Sequence, residues 1–216
     1  MNSQIYSGLF IAEGTSDFPL ADSIEALFLD RGISISLRKP DFELLGRVGK
    51  DVRSRVAAGL SLTHGDVDVI VIHRDADNVG AGPRRAEIEA GVRAARAECP
   101  IVPIIPVRMT EAWLLLDEAA IRHVAGNPRG RQPLSLPAIA EVERKADPKT
   151  FLAERILEAS NVTGRRRERL KNRFNQNRRQ LLERLDRGGP VNQLAGWQAL
   201  VADIDEIAAK WNSNGE

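Results

Sequence analysis

The stretch Val67–His73 (VDVIVIH), running into Arg74-Asp75-Ala76-Asp77-Asn78, decides the fold. Its β-branched run makes it the clearest strand in the chain, and it stops in a polar, glycine-containing loop that ends near Pro83. Working outward, Ile5–Ala12 (IYSGLFIA) reads as a second buried strand, closed by Glu13-Gly14. Ile33–Leu37 (ISISL) alternates like a half-exposed strand, and Ile101–Val107 (IVPIIPV) reads as an edge strand because Pro103 and Pro106 cannot donate to a ladder. Helices fill the intervals: one capped by Ser16 or Asp17 and running to Asp30, one over 48–62 after a loop at 40–49, and one over 84–98.

Strands alternating with helices predict an α/β fold with an open, mainly parallel sheet flanked by helices. After Arg108 the pattern turns helical, over 111–123, 149–160, 166–186 and 191–211, with a Pro/Gly-rich loop at 126–137. The expected division is an α/β core over 1–125 and a helical C-terminal extension over 126–216, packed on that core.

Composition narrows the class. With 43% hydrophobic and 28% charged residues in 216, the chain has material for a core of its own. The single Cys99 excludes an internal disulfide and a zinc ribbon, and a reducing cytoplasm is the expected location. Glu13 and Asp17 interrupt the first apolar stretch, so it does not read as a signal peptide, and no apolar run is long enough to span a bilayer.

In a parallel α/β sheet, ligands gather outside the carboxyl ends of the strands. The first strand delivers Glu13 there, and Gly14 lets the chain turn. The strand from Val67 delivers Asp75 and Asp77, which face one side if the chain stays extended. Three crowded carboxylates, Glu13, Asp75 and Asp77, repel unless a cation joins them, and as hard oxygen donors they suit Mg2+ (or Mn2+), which can hold a phosphate oxygen and activate water. An Asp-x-Asp after a strand is by itself more often a turn or a cap; two acidic motifs closing separate strands at one end of a sheet carry the reading.

These residues resemble the Toprim domain, a Rossmann-like module. Ile11-Ala12-Glu13-Gly14-Thr15-Ser16-Asp17 looks like its glutamate motif, and Val71-Ile72-His73-Arg74-Asp75-Ala76-Asp77 like its Asp-x-Asp motif. Glu111-Ala112-Trp113-Leu114-Leu115-Leu116-Asp117 and Asp147-Pro148-Lys149 are similar to motifs of small stand-alone bacterial Toprim-like proteins. The resemblance covers about residues 5–117. It implies that Glu13 is a general acid/base and that Asp75 and Asp77 hold the metal. It also suggests a role in defence against foreign DNA. Where many Toprim domains carry a third acid, this chain has Val79. Glu111 is the candidate replacement, as a catalytic or metal-binding carboxylate; equally, it is a helix-start carboxylate complementing the dipole. Asp117 is a weaker candidate. Asp147 and Pro148 start a helix well, and Lys149 is a candidate for neutralising charge on a phosphate. Arg74 borders the site as a phosphate ligand, and His73 reads as a packed core histidine.

Between Arg165 and Arg187 there are ten Lys or Arg against three Asp or Glu, beside a body that is net acidic. Arg165, Arg166, Arg167, Arg178 and Arg179 are therefore candidate nucleic-acid contacts, made to the phosphate backbone and sensitive to salt. An acidic protein partner, or an acidic face of the same fold, explains the charge almost as well. An oligomer is compatible with the sequence.

A topoisomerase needs a nucleophilic tyrosine, and the only one, Tyr6, lies in the first strand. Primases of this class usually add a zinc module that one cysteine cannot build. The expectation is a magnesium-dependent nuclease that hydrolyses phosphodiesters. The alternatives are a regulatory protein that keeps a Toprim-like fold and binds metal or nucleotide without cutting, and, less favoured, a phosphatase of the haloacid-dehalogenase type.

Overall fold

The structure is a computed structural model that describes residues 4–42, 44–63 and 67–213. Four strands form one all-parallel sheet: β1 (Ile5–Ile11), β2 (Ser34–Arg38), β3 (Val69–His73) and β4 (Ile101–Ile104), in the order β2-β1-β3-β4. Helices α1 (Pro19–Leu29), α2 (Val52–Leu62) and α3 (Ala81–Ala94) connect them. The fold is therefore α/β, with β4 at an edge where its proline is tolerated. The expected loop at 40–49 follows β2, with Glu43 outside the described residues.

The alternation of side chains across the sheet builds two cores. Phe10, Val69, Val71 and Val102 face one side, where they meet Leu20, Ile24 and Phe28 of α1. Leu9, Ile11, Ile70 and Ile72 face the other, where Val52 and Val56 of α2 and Ile88 and Val92 of α3 cover them. All five residues of β3 are buried, because both faces of that strand are covered. Helices α2 and α3 approach closely at Gly91, where an added Cβ would come within 2.6 Å of the Val52 Cβ.

The order of the strands has a consequence for ligands. The chain leaves β1 for β2 on one side, then returns to place β3 on the other side of β1. The first connection covers one face and the later ones cover the opposite face. The loops after β1 and β3 diverge, which opens a crevice at the carboxyl ends of these two strands, the topological switch point.

The C-terminal half comprises α4 (Glu111–Leu114), α5 (Glu118–Val124), α6 (Ile139–Val142), α7 (Pro148–Ser160), α8 (Gly164–Asn172), α9 (Phe174–Glu183) and α10 (Ala195–Ser213). Two helices expected as single rods are divided. The one over 111–123 restarts at Asp117, whose carboxylate accepts from the Ala120 N–H at 2.8 Å as the N-cap of α5. The one over 166–186 breaks at Arg173, which leaves the helical region at φ −96°, ψ 12°.

The main hydrophobic core runs from the sheet into these helices, through Trp113, Leu152, Leu181, Trp197 and Ile204. Trp113 and Trp197 meet edge to face at 5.3 Å, and Tyr6 stacks on Trp211 of α10 at 4.0 Å. A Cβ at Gly196 would lie 2.8 Å from the Ile105 carbonyl oxygen, so glycine there lets α10 close on the chain leaving β4. Among the described residues no helix is long and apolar enough to cross a membrane.

Candidate functional site at the carboxyl edge of the sheet

The pairing of β1 with β3 sets Ile11 opposite Ile72, and continuing that register brings Glu13 beside Arg74. The Glu13 carboxylate, 43% exposed, lies 2.9 Å from Arg74 Nε, without the alignment of a hydrogen bond. Arg74 also donates to the Lys50 carbonyl at 3.2 Å and stands 3.4 Å from Glu87 of α3. The predicted phosphate ligand Arg74 is thus already engaged by two carboxylates.

Beyond β3 the chain keeps bonding to the segment after β4: Arg74 N–H to Ile104 O, Ala76 N–H to Pro106 O and Asp77 N–H to Arg108 O, each at 3.0 Å. Asp75 is held inside this pairing. Its Oδ1 accepts from the Thr110 N–H at 3.0 Å and from the Thr110 hydroxyl at 3.2 Å, and His73 Nε2 lies 3.5 Å away. Burial works against its charge, yet the bonds from His73 and Thr110 outweigh that and hold its pKa below the usual carboxylate value. Every one of these bonds falls on Oδ1, which leaves the chemistry of Oδ2 outside the network.

Asp77 departs from the extended chain on which the expectation of two parallel carboxylates rested. Its φ of +48° is left-handed, a conformation aspartate tolerates better than most residues. The turn exposes its carboxylate, with Arg84 Nη2 3.9 Å away. It lines a cleft of about 400 Å³ together with Asn78, Arg108 and Lys149. Lys149 is here because Asp147 caps α7, accepting from the Thr150 N–H at 2.9 Å, with Pro148 in the first turn. The Asp-x-Asp and Asp-Pro-Lys motifs, distant in the sequence, therefore meet across one opening.

Glu111 is 4% exposed and bonded to Arg178 Nε at 2.7 Å. Arg178 of α9 also bonds Asp17 Oδ1 at 2.6 Å and the Ser16 carbonyl at 3.2 Å. This corrects two expectations. Arg178 is buried and shared by two acids, so it is not a surface contact for nucleic acid. Asp17 caps no helix; it faces Arg178 on one side, and its Oδ2 stands 3.8 Å from His73 Nδ1 on the other. His73 is buried as expected, and its Nε2 bonds the Thr110 hydroxyl at 2.8 Å. Burial opposes its protonation, but Asp17 and Asp75 prevail and raise its pKa. Asp117 serves as the cap described above.

Helix α8 has no buried residue, so Arg165, Arg166 and Arg167 face outward, with Arg167 Nη1 3.3 Å from the Leu157 carbonyl near the end of α7. Arg179 is exposed and paired with Glu183 at 3.1 Å. Val79, at the place of the missing third acid, is 54% exposed.

Three members of this edge were not legible as site residues. Asp17 stood within the glutamate motif but read as a cap, Thr110 carried no signal of its own, and Arg108 marked only the point after which the pattern turns helical.

Among the described residues no group of three or more His, Cys, Asp or Glu is placed to hold a metal ion. A ready-made three-carboxylate centre therefore does not fit. A magnesium ion that arrives with phosphate and water needs only one or two carboxylates, and Asp75 and Asp77 supply that donor chemistry. Comparisons of the chain with protein-family models, curated proteins and solved structures found no match.

Proposed function

We propose that the chain is a phosphodiesterase of the kind its Toprim resemblance implies, acting on nucleic acid at the carboxyl edge between β1 and β3. The observation that carries this is the cleft shared by Asp77 and Lys149, which opens just beyond β3 next to the half-buried Asp75, whose carboxyl is held below the usual carboxylate range. Acids alone would repel a phosphate; acids interleaved with Arg108 and Lys149 can position one.

Magnesium, when bound, would be held by Asp75 and Asp77 and would act as a Lewis acid on a phosphate oxygen. The chain's own residues do the rest. Thr110 and His73 fix Asp75, so its free oxygen needs no reorganisation. Lys149 and Arg108 orient the phosphate and oppose the charge that develops on it. Glu13, exposed at the same edge, takes or returns the proton of the attacking water. Arg165, Arg166 and Arg167 attract the phosphate backbone farther along the strand.

The test is incubation of the purified protein with linear, nicked and single-stranded DNA and RNA, in magnesium, manganese or EDTA. Cleavage is expected with either metal, abolished by EDTA, and lowered by about 10²-fold or more in Glu13→Gln and Asp75→Asn. Cleavage that persists in both variants would overturn the assignment.

A second reading, a protein that binds nucleic acid without cutting it, is favoured by two features: Glu13 is drawn to Arg74, and position 79 carries no acid. Metal-dependent binding with no product in any arm of the assay would establish it.

A further inference from the structure

On the other side of Glu13 lies a second cleft, of about 260 Å³, which the chemistry above leaves unused. Its walls are Glu13 and Gly14 after β1, Phe18 ahead of α1, Phe42 and Lys50 from the loop after β2, and Arg55 of α2. Arg55 stands over the Phe42 ring at 5.4 Å, donates to the Ala12 carbonyl, and keeps its buried Nε without a hydrogen-bond partner. The loop that forms the outer wall also carries Leu44 and Leu45, of which Leu44 is 83% exposed. Two phenyl rings and two cations, with an exposed apolar rim and the carboxylates of Glu13 and Asp41 beside them, are unusual company for an idle surface. An aromatic face beside a cation is the pairing that holds an unpaired base and its phosphate.

The size selects the ligand. Pockets for drug-sized molecules begin at roughly 300 Å³, so this cleft has room for about one base and none for a duplex. The basic helix α8 has only the half-buried Leu170 between its cations and no aromatic residue, so it offers charge without stacking. Base contact, if the protein makes any, has to come from elsewhere on the molecule.

We infer that the cleft formed by Phe18, Phe42, Lys50 and Arg55 receives one unpaired base of a single-stranded polynucleotide, with Lys50 and Arg55 on its phosphate. The inference rests on the phosphodiesterase reading and narrows its substrate to strands with an unstacked or unpaired nucleotide next to the scissile bond. Glu13 then borders the base.

The experiment measures binding in EDTA, so no cleavage is required for a signal. Fluorescence anisotropy would compare a labelled thymidine oligonucleotide, an abasic strand of the same length and charge, and a blunt hairpin duplex, with wild type, Phe42→Ala and Phe42→Trp. Stacking on one residue predicts that wild type prefers the base-bearing strand over the abasic one by about tenfold or more, and that Phe42→Ala removes this preference while Phe42→Trp keeps it. Equal affinity of wild type for base-bearing and abasic strands overturns the inference without any appeal to a variant. So does a preference that survives in a folded Phe42→Ala. Failure here is separable from failure of the phosphodiesterase reading. Base-dependent binding without cleavage in magnesium would sink that reading and keep the cleft; cleavage with base-blind binding would do the reverse.

Discussion

A buried arginine costs several kcal/mol unless its charge and its N–H groups are answered. Arg178 is answered three times, by Asp17, Glu111 and the Ser16 carbonyl. It is also what allows two carboxylates to be buried near His73 and Asp75. Replacing it with methionine should cost about 3–5 kcal/mol, because both acids are left uncompensated. The same replacement in an Asp17→Asn, Glu111→Gln background should recover most of that loss, since a neutral cluster does not need the cation. Denaturant unfolding of the four proteins checks both parts; an Arg178→Met variant as stable as wild type would show that the trio is not load-sharing. At this scale sequence reading reaches the acids that close strands, since Glu13, Asp75 and Asp77 follow apolar runs. It does not reach Arg178 or Asp17, because a residue's burial depends on a helix packed from 161 positions away.

Among the elements, α7 and α8 separate two kinds of contact. Lys149 opens α7, and α8 follows its other end, after 13 helical residues that span roughly 20 Å. A strand must therefore cover roughly 20 Å to touch both the cleft and α8, about six nucleotides where it keeps the stacked spacing of roughly 3.4 Å and fewer where it is stretched. Changing Arg165, Arg166 and Arg167 together to Gln should lower the slope of log affinity against log salt by about 2 for a long single strand, at roughly 0.7 per lost phosphate contact, and leave a dinucleotide unaffected. Binding titrations from low to moderate salt measure it; an unchanged slope would assign these arginines to solvation alone. The order of strands and the helices between them were readable from alternation and length. The breaks at Asp117 and Arg173 were not. Apolar spacing runs through both, and only the capping geometry of Asp117 and the need to point α9 inward decide where each helix restarts.

For the molecule as a whole, the contrast between an acidic body and a basic segment is partly consumed within the fold. Arg178 goes to Asp17 and Glu111, Arg187 to Asp30 at 2.9 Å, and Arg179 to Glu183. What remains outward are the cations of α8 together with the exposed Arg173 and Arg184, so the fold consumes three of the ten. The acidic edge behaves in the same way, since Glu13 and Glu87 both engage Arg74 and Asp77 approaches Arg84. The sheet edge is thus a nearly neutral weave of opposite charges, with Asp75 set within it and two clefts opening on either side. A parallel sheet was legible because β3 is buried on both faces. That the motif at Asp147 belongs to the same opening as Asp77 was not, because nothing local to either stretch records the packing of α7.

The measurement that bears most directly on this account is a double-mutant cycle across that opening. Single-turnover cleavage of a single-stranded oligonucleotide in magnesium would be compared for wild type, Asp77→Asn, Lys149→Ala and the double variant. If the two residues act on one phosphate, each single change should slow cleavage by about 10²-fold, and the double should be far less severe than the product of the two. Full activity in either single variant, or effects that simply multiply, would contradict a shared site.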